Sequence, residues 1–260
     1  MFTQQAAWGE GSFPIAVVKM HVCYVRVTCK TGQTHGWDQH IPTSLWEKMF
    51  IASSSAVGAL RNPERADLVA ALGDTTGVPA LRNIRRRMLS DESGRQILKE
   101  KPILRDFVEL EKMGSYKEGS LGRAYFEFMS SRGFSPQERP CVRFVDDPEL
   151  AYIMLRYREV HDFVHVLTGL GTSVEGEIVQ KWFELLQTGL PVCLLSATVG
   201  PLRISVSDRV RLATEWVPWA LRASVQVPFF MNLYYEKLLD RDIENLRREL
   251  DVPPLPHGAP

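Results

Sequence analysis

Two imidazoles four residues apart, an acid beside the first and a second acid twelve residues beyond the other make the most chemically capable group in this chain: His161, Asp162, His165 and Glu177. On a helix, a spacing of four puts His161 and His165 on one face, a turn apart, as a shared metal ion requires. Leu150, Ile153, Met154, Tyr157, Val160, Val164 and Leu167 repeat at helical spacing and define a stripe expected to be buried. His161 falls inside its border and His165 just outside, with Asp162 about 60° beyond His165 on the wheel. Glu177 belongs to the next helix. Gly171 lies six residues from both His165 and Glu177. In an antiparallel helical hairpin, residues equidistant from the turn face each other. Glu177 also borders the apolar stripe of Val174, Ile178, Trp182 and Leu185. Two imidazoles and two carboxylates would then converge, a set better suited to zinc, iron or manganese than to calcium or magnesium. A histidine pair at this spacing alone is more often structural, so the neighbouring acid and the symmetric glutamate carry the metal reading.

Other metal chemistries share parts of the pattern. In HExxH proteases the glutamate is the general base; Asp162 takes that place here and is one methylene shorter, which argues against proteolysis. Phosphohydrolases built on a His-Asp dyad need further ligands from separate helices. His21, His35, His40 and His257 are poorly placed to supply them. A metal-dependent hydrolase therefore stands as the lesser alternative.

The elements that must position these side chains are helical. Ser44 and Glu47 form a capping box opening a helix that should stop near Pro63. A short helix over 67–72 should end at Gly73, with 73–77 a loop. Further helices are expected at 79–90, 91–100 and 120–131. Asp147-Pro148-Glu149 supplies a cap, a proline at the first helical position and a first-turn acid. A long helix should run from there to Thr168. A turn through Gly169, Gly171 and Ser173 leads to a second helix ending near Thr188, before Gly189-Leu190-Pro191. More helices are expected at 204–221, 229–239 and 240–250. The reading is an all-α, single-domain multi-helix bundle with the metal site on an antiparallel helical hairpin. Residues 1–36 form a divergent N-terminal segment with a candidate strand at 22–29, 37–252 the helical domain, and 253–260 a tail.

A chain of 260 residues can bury a substantial core. Its formal net charge of zero argues against a nucleic-acid binder. Cys23, Cys29, Cys141 and Cys193 show no CxxC spacing, so buried or idle thiols in a reducing compartment are expected. The longest apolar stretch, 190–206, is broken by Pro191, Gly200, Pro201 and Arg203, short of the ~20 apolar residues a spanning helix needs. Peripheral membrane attachment stays open. The segment 1–36 is acid-poor like a transit peptide, but not Arg-rich.

His161-Asp162-Phe163-Val164-His165, eleven residues and then Glu177 resemble the HDxxH-x11-E signature of the ubiquinone (coenzyme Q) biosynthesis protein 4 family. Neighbouring text agrees: Arg156-Tyr157-Arg158-Glu159-Val160, Lys181-Trp182-Phe183-Glu184 and Gln187-Thr188-Gly189-Leu190-Pro191. So do the distant blocks His40-Ile41-Pro42-Thr43-Ser44, Leu72-Gly73-Asp74-Thr75-Thr76-Gly77 and Asn232-Leu233-Tyr234-Tyr235-Glu236. The resemblance covers about 37–252. It implies zinc as the metal, held by His161, Asp162, His165 and Glu177. It implies a polyprenylated hydroxybenzoate or quinone-like lipid as ligand, with loss of the carboxylate at ring carbon 1 and gain of a hydroxyl there. It also implies a peripheral place on the matrix side of the mitochondrial inner membrane, among other ubiquinone-biosynthesis proteins in a multi-subunit complex. Asp162 and Glu177 become the candidate catalytic residues, because a carboxylate near the metal can handle the ring's proton. A non-catalytic lipid-binding scaffold of the same complex is the alternative. A second copy of the chain is left open as a partner.

Arg82, Arg85, Arg86 and Arg87 read as a solvated helix face or, alternatively, a contact for anionic lipid. The apolar runs 190–199 and 227–235 read as core, with an isoprenoid groove as the alternative.

Overall fold

The computed structural model describes residues 40–62 and 65–257. Among them are helices and no β-strand; the single bridge pairs Ser120 with Asp242. In chain order the α-helices are α1 (Leu45–Arg61), α2 (Ala66–Thr76), α3 (Val78–Leu89), α4 (Glu92–Glu100), α5 (Leu104–Phe107), α6 (Leu110–Met113), α7 (Leu121–Ser130), α8 (Pro148–Thr168), α9 (Val174–Thr188), α10 (Pro191–Val199), α11 (Val206–Arg211), α12 (Val217–Gln226) and α13 (Ile243–Glu249). One continuous set of buried apolar side chains, from Leu72 to Leu246, joins them. The all-α reading is correct. The candidate strand at 22–29 lies outside the described residues.

Local chemistry accounts for the boundaries that position the site. The Ser44–Glu47 capping box is formed, and α1 ends at Arg61. At the start of α8, Asp147 accepts the N–H groups of Glu149 and Leu150. Gly169, at φ +80°, ends that helix in the left-handed conformation that glycine tolerates, and Gly189, at φ +71°, ends α9 in the same way. Ser173 caps α9 by accepting from the N–H of Gly176.

α8 does not have one apolar face. It is buried nearly all round. Its polar residues are satisfied by partners from distant segments. Arg156 pairs with Glu236 at 2.9 Å, Arg158 with Asp74 at 2.5 Å and Glu159 with Arg105 at 2.8 Å, while Asp162 pairs with Arg139. Burying a charge is costly unless it is paired and hydrogen-bonded, and each of these is. His165, expected just outside the buried stripe, is more deeply buried than His161.

The same partners explain where local expectation fails. The segment 73–77 is not a loop: α2 continues to Thr76. Asp74 is buried, accepting from Arg158 and from the N–H groups of Arg143 and Phe144. Thr75 and Thr76 turn their hydroxyls back onto the carbonyls of Ala71 and Leu72. The helix expected at 229–239 is replaced by two short 3-10 turns, Phe230–Asn232 and Tyr235–Lys237. Gln187 binds the Val227 carbonyl and the Phe230 N–H at the start of this stretch, and Arg156 binds the Leu233 carbonyl. The helix expected at 204–221 is split by a π-helical stretch, Leu212–Trp216. Pro218 follows it and has no N–H for the regular ladder. The apolar run 190–199 carries α10, which periodicity did not suggest, and its Val192, Cys193 and Ala197 are core. The basic cluster divides. Arg85 pairs with Glu149, and Arg87 reaches the Gln187 carbonyl and lies over the Phe229 ring, whereas Arg82 faces solvent. Cys193 is a free, buried thiol.

Candidate metal centre

Three of the four expected residues meet. The Nε2 atoms of His161 and His165 lie 3.5 Å and 3.2 Å from the two carboxylate oxygens of Glu177. The ligand atoms of all three lie within 4.8 Å of one another. Two donors each ~2.1 Å from a tetrahedral ion stand ~3.4 Å apart, so the separations fit a shared metal. The antiparallel geometry of α8 and α9 brings the residues together: His165 meets Glu177, His161 meets Lys181, and Tyr157 meets Glu184. These pairs are arranged almost symmetrically about Gly171.

The outer nitrogens of both imidazoles are held. His165 Nδ1 lies 3.2 Å from the carbonyl of Leu170, which can only accept, so Nδ1 carries the proton. With the ring neutral, as a metal ligand must be, Nε2 is a bare lone pair facing a carboxylate. It is fully buried and has no hydrogen-bond partner. Two acceptors face to face call for a cation between them. His161 Nδ1 lies 2.5 Å from Glu184 Oε1, the carboxylate–histidine arrangement that orients a ligand for its metal. Gln180 and Lys181 also reach Glu184, at 3.2 Å and 2.7 Å. The donor chemistry and the orphaned nitrogen both fit a divalent ion.

The electrostatics also favour positive charge at this place. Burial opposes ionisation of Glu177, yet His161 and His165 hold its carboxyl well below the ordinary range. Burial and Lys181 push the His161 imidazole down, but Glu184 and Glu177 outweigh them and raise it to about 9. Burial and Glu184 push the Cys193 thiol up to about 12, so it stays protonated. The Glu177 side chain keeps 40% of its exposure while His165 has none. The site therefore has a dry floor and one accessible side.

Asp162 is not part of this convergence. Its carboxylate turns to Arg139 on the other side of α8 and borders a narrow cleft. Sequence reasoning did not single out Glu184, Lys181, Gln180, Tyr157 or Arg139 as functional residues. The available signal was the hairpin symmetry that found Glu177: applied one and two turns further along α9, it finds Lys181 and Glu184.

The described residues contain no helix long and apolar enough to cross a membrane. Residues 37–256 match the family model for coenzyme Q (ubiquinone) biosynthesis protein Coq4. Over 222 residues the chain is 46% identical to the mitochondrial ubiquinone biosynthesis protein COQ4 homologs of Bos taurus and Homo sapiens, covering 84% of this chain and 84% of each relative. The mitochondrial COQ4 protein of Laccaria bicolor is 40% identical over 84% of this chain and 74% of its own length. A Nostoc punctiforme crystal structure, of a protein assigned to ubiquinone biosynthesis, shares the fold with a TM-score of 0.62 at 20% identity, over 78% of this chain and 98% of that one. With the helical architecture and these matches together, the chain belongs to the coenzyme Q (ubiquinone) biosynthesis protein Coq4 family.

Proposed function

We propose that this protein acts in ubiquinone biosynthesis as a metal-dependent decarboxylase of a polyprenylated 4-hydroxy-3-methoxybenzoate, replacing the carboxyl at ring carbon 1 by hydroxyl. The observation that carries the reading is the pair of imidazole Nε2 atoms turned onto Glu177 with both outer nitrogens already held. Zinc is the ion the family resemblance implies, and a two-histidine, one-carboxylate set also accommodates divalent iron. Bound there, the ion supplies Lewis-acid stabilisation of negative charge on a ring oxygen.

The rest falls to the chain's own residues. Glu184 and the Leu170 carbonyl keep the imidazoles oriented. Glu177, the accessible member, and Asp162, held by Arg139, are the carboxylates proposed to hold or move the proton that the ring exchanges. In the net reaction the bond from ring carbon 1 to the carboxyl carbon breaks, carbon dioxide leaves and a carbon–oxygen bond forms. Two electrons leave the substrate. With dioxygen as acceptor and water as oxygen source, acid, water and dioxygen become phenol, carbon dioxide and hydrogen peroxide in equal numbers. The test is carbon dioxide release by purified, metal-loaded protein given the prenylated acid in detergent with dioxygen. Release that stops when the metal is chelated is the expected result. No release with full metal occupancy leaves the scaffold role, organising other biosynthetic proteins, as the better reading.

A surface feature supports membrane attachment. The outer face of α1 carries Trp46, 78% exposed, and Phe50, 64% exposed, with Met49, Val57 and Leu60 also exposed. Arg61 lies on the same helix, and Arg203 binds the Leu60 carbonyl. Apolar side chains rimmed by cations suit an anionic lipid surface. The proposed location is the matrix side of the mitochondrial inner membrane. Extraction of mitochondrial membranes with alkaline carbonate should move the protein to the supernatant, and retention with integral proteins in the pellet would contradict this.

A further inference from the structure

A buried ion pair stands behind the proposed metal centre, and the orienting role of Glu184 does not by itself account for it. Lys181 follows Glu177 by one turn of α9, and its ammonium donates to Glu184 Oε2 at 2.7 Å. The same nitrogen lies 3.3 Å from the Tyr157 hydroxyl and 3.2 Å from His161 Nδ1. Glu184 is fully buried and Lys181 mostly so. To orient an imidazole only an acceptor for its outer N–H is needed. The Leu170 carbonyl does this for His165 without any charge. His161 has a carboxylate instead, and that carboxylate has its own cation beside it. Both imidazoles are thus held by arrangements of zero net charge. Tyr157 and Cys193, the other groups against Glu184, stay neutral because burial pushes both well up. On the other side of α8, Arg139 and Asp162 cancel each other in the same way.

A divalent ion held by His161, His165 and Glu177 would therefore meet one uncancelled negative charge, that of Glu177, and keep one positive charge. We propose that Lys181, by cancelling Glu184, sets this centre to take a single anionic oxygen, the carboxylate or ring oxygen of an aromatic acid, at the ion's open position. Without Lys181 the carboxylates of Glu177 and Glu184 would together neutralise the ion, and its pull on an anion would be lost. The ammonium is turned inward onto Glu184 and Tyr157. Lys181 thus acts through charge, as a positioning residue, and not by touching the ligand. This assignment rests on the metal centre proposed above, but its test is a binding measurement and does not need turnover.

The full chain, saturated with cobalt, would be titrated with azide and with imidazole, an anionic and a neutral ligand for an open position, and followed by visible absorption. Lys181→Met should weaken azide binding about tenfold, as expected for one charge close to the ligand in a partly screened site, and leave imidazole binding unchanged. Glu184→Gln should strengthen azide binding by a similar factor. Because Lys181→Met leaves Glu184 buried without its cation and could unfold the chain, the double variant Lys181→Met/Glu184→Gln is the second test. It removes both charges at once and should return azide affinity to the wild-type level. Benzoate and phenol distinguish a carboxylate from a ring oxygen, and whichever binds the wild type more tightly should follow azide across the variants. Wild-type azide affinity in folded Lys181→Met would overturn the assignment. So would weak azide binding in the folded double variant, which would mean that the ammonium touches the anion directly. A wild type that takes up no cobalt would remove the metal centre and this assignment together. The expected order without carbon dioxide release would uphold the assignment, and the proposed turnover alone would fail.

Discussion

Replacing His165 by alanine should strip the protein of its divalent metal while leaving it helical, and His161→Ala and Glu177→Ala should do the same. Each removes one of the three donors that converge among the described residues. Loss of an outer partner that merely orients a ligand costs ~10–100-fold in metal affinity, so loss of a donor should cost at least that. Glu184→Gln should fall within that outer-partner range, because Glu184 orients His161 without joining the three. The expected order is wild type, then Glu184→Gln, then the three donor variants. Metal content per chain, measured by elemental mass spectrometry beside far-ultraviolet circular dichroism, gives both readouts. Full occupancy in all three donor variants would remove the basis of the assignment. Helix content should survive because the caps of α8 and α9 involve Asp147, Gly169, Ser173 and Gly189, none of which is altered.

Asp162→Asn is expected to separate chemistry from binding. The amide keeps the shape and one acceptor for Arg139 but removes the charge. The donors His161, His165 and Glu177 are untouched, so the variant should retain metal. If Asp162 handles the ring's proton, turnover should fall by ~10²–10⁴-fold, the usual contribution of a positioned acid or base. Ubiquinone content in cells carrying only this variant, with protein level followed in parallel, reads the effect in place. Normal ubiquinone at normal protein level would count against catalysis at this site and favour the scaffold role. Asp162→Ala is a poorer test, because it leaves Arg139 without its partner and confuses stability with chemistry.

The donors were legible because they are local. His161 and His165 share a face through the helical repeat alone, and Glu177 follows once the turn at 169–173 is recognised. The same one-dimensional reasoning placed Asp162 with them, since a wheel locates a residue on a helix surface but not its partner. Arg139 lies 23 residues away on a segment with no periodic signal, and it claims the Asp162 carboxylate.

Taken by itself, the sequence determined the helical class, the start and end of α8 and α9, the capping box of α1, and the pairing of two histidines with a glutamate across the turn. Each depends on interactions within a few residues or on hairpin symmetry, which need no knowledge of the rest of the chain. Tertiary structure alone decided that α8 is buried on all sides, that 73–77 continues a helix, that 229–239 does not form one, and that Asp162 faces a different cleft from the metal donors. The physical reason is common to these cases. A buried charge or an unpaired backbone group must find a partner, and the partners of Asp74, Arg156, Gln187 and Asp162 come from segments 23 to 84 residues away.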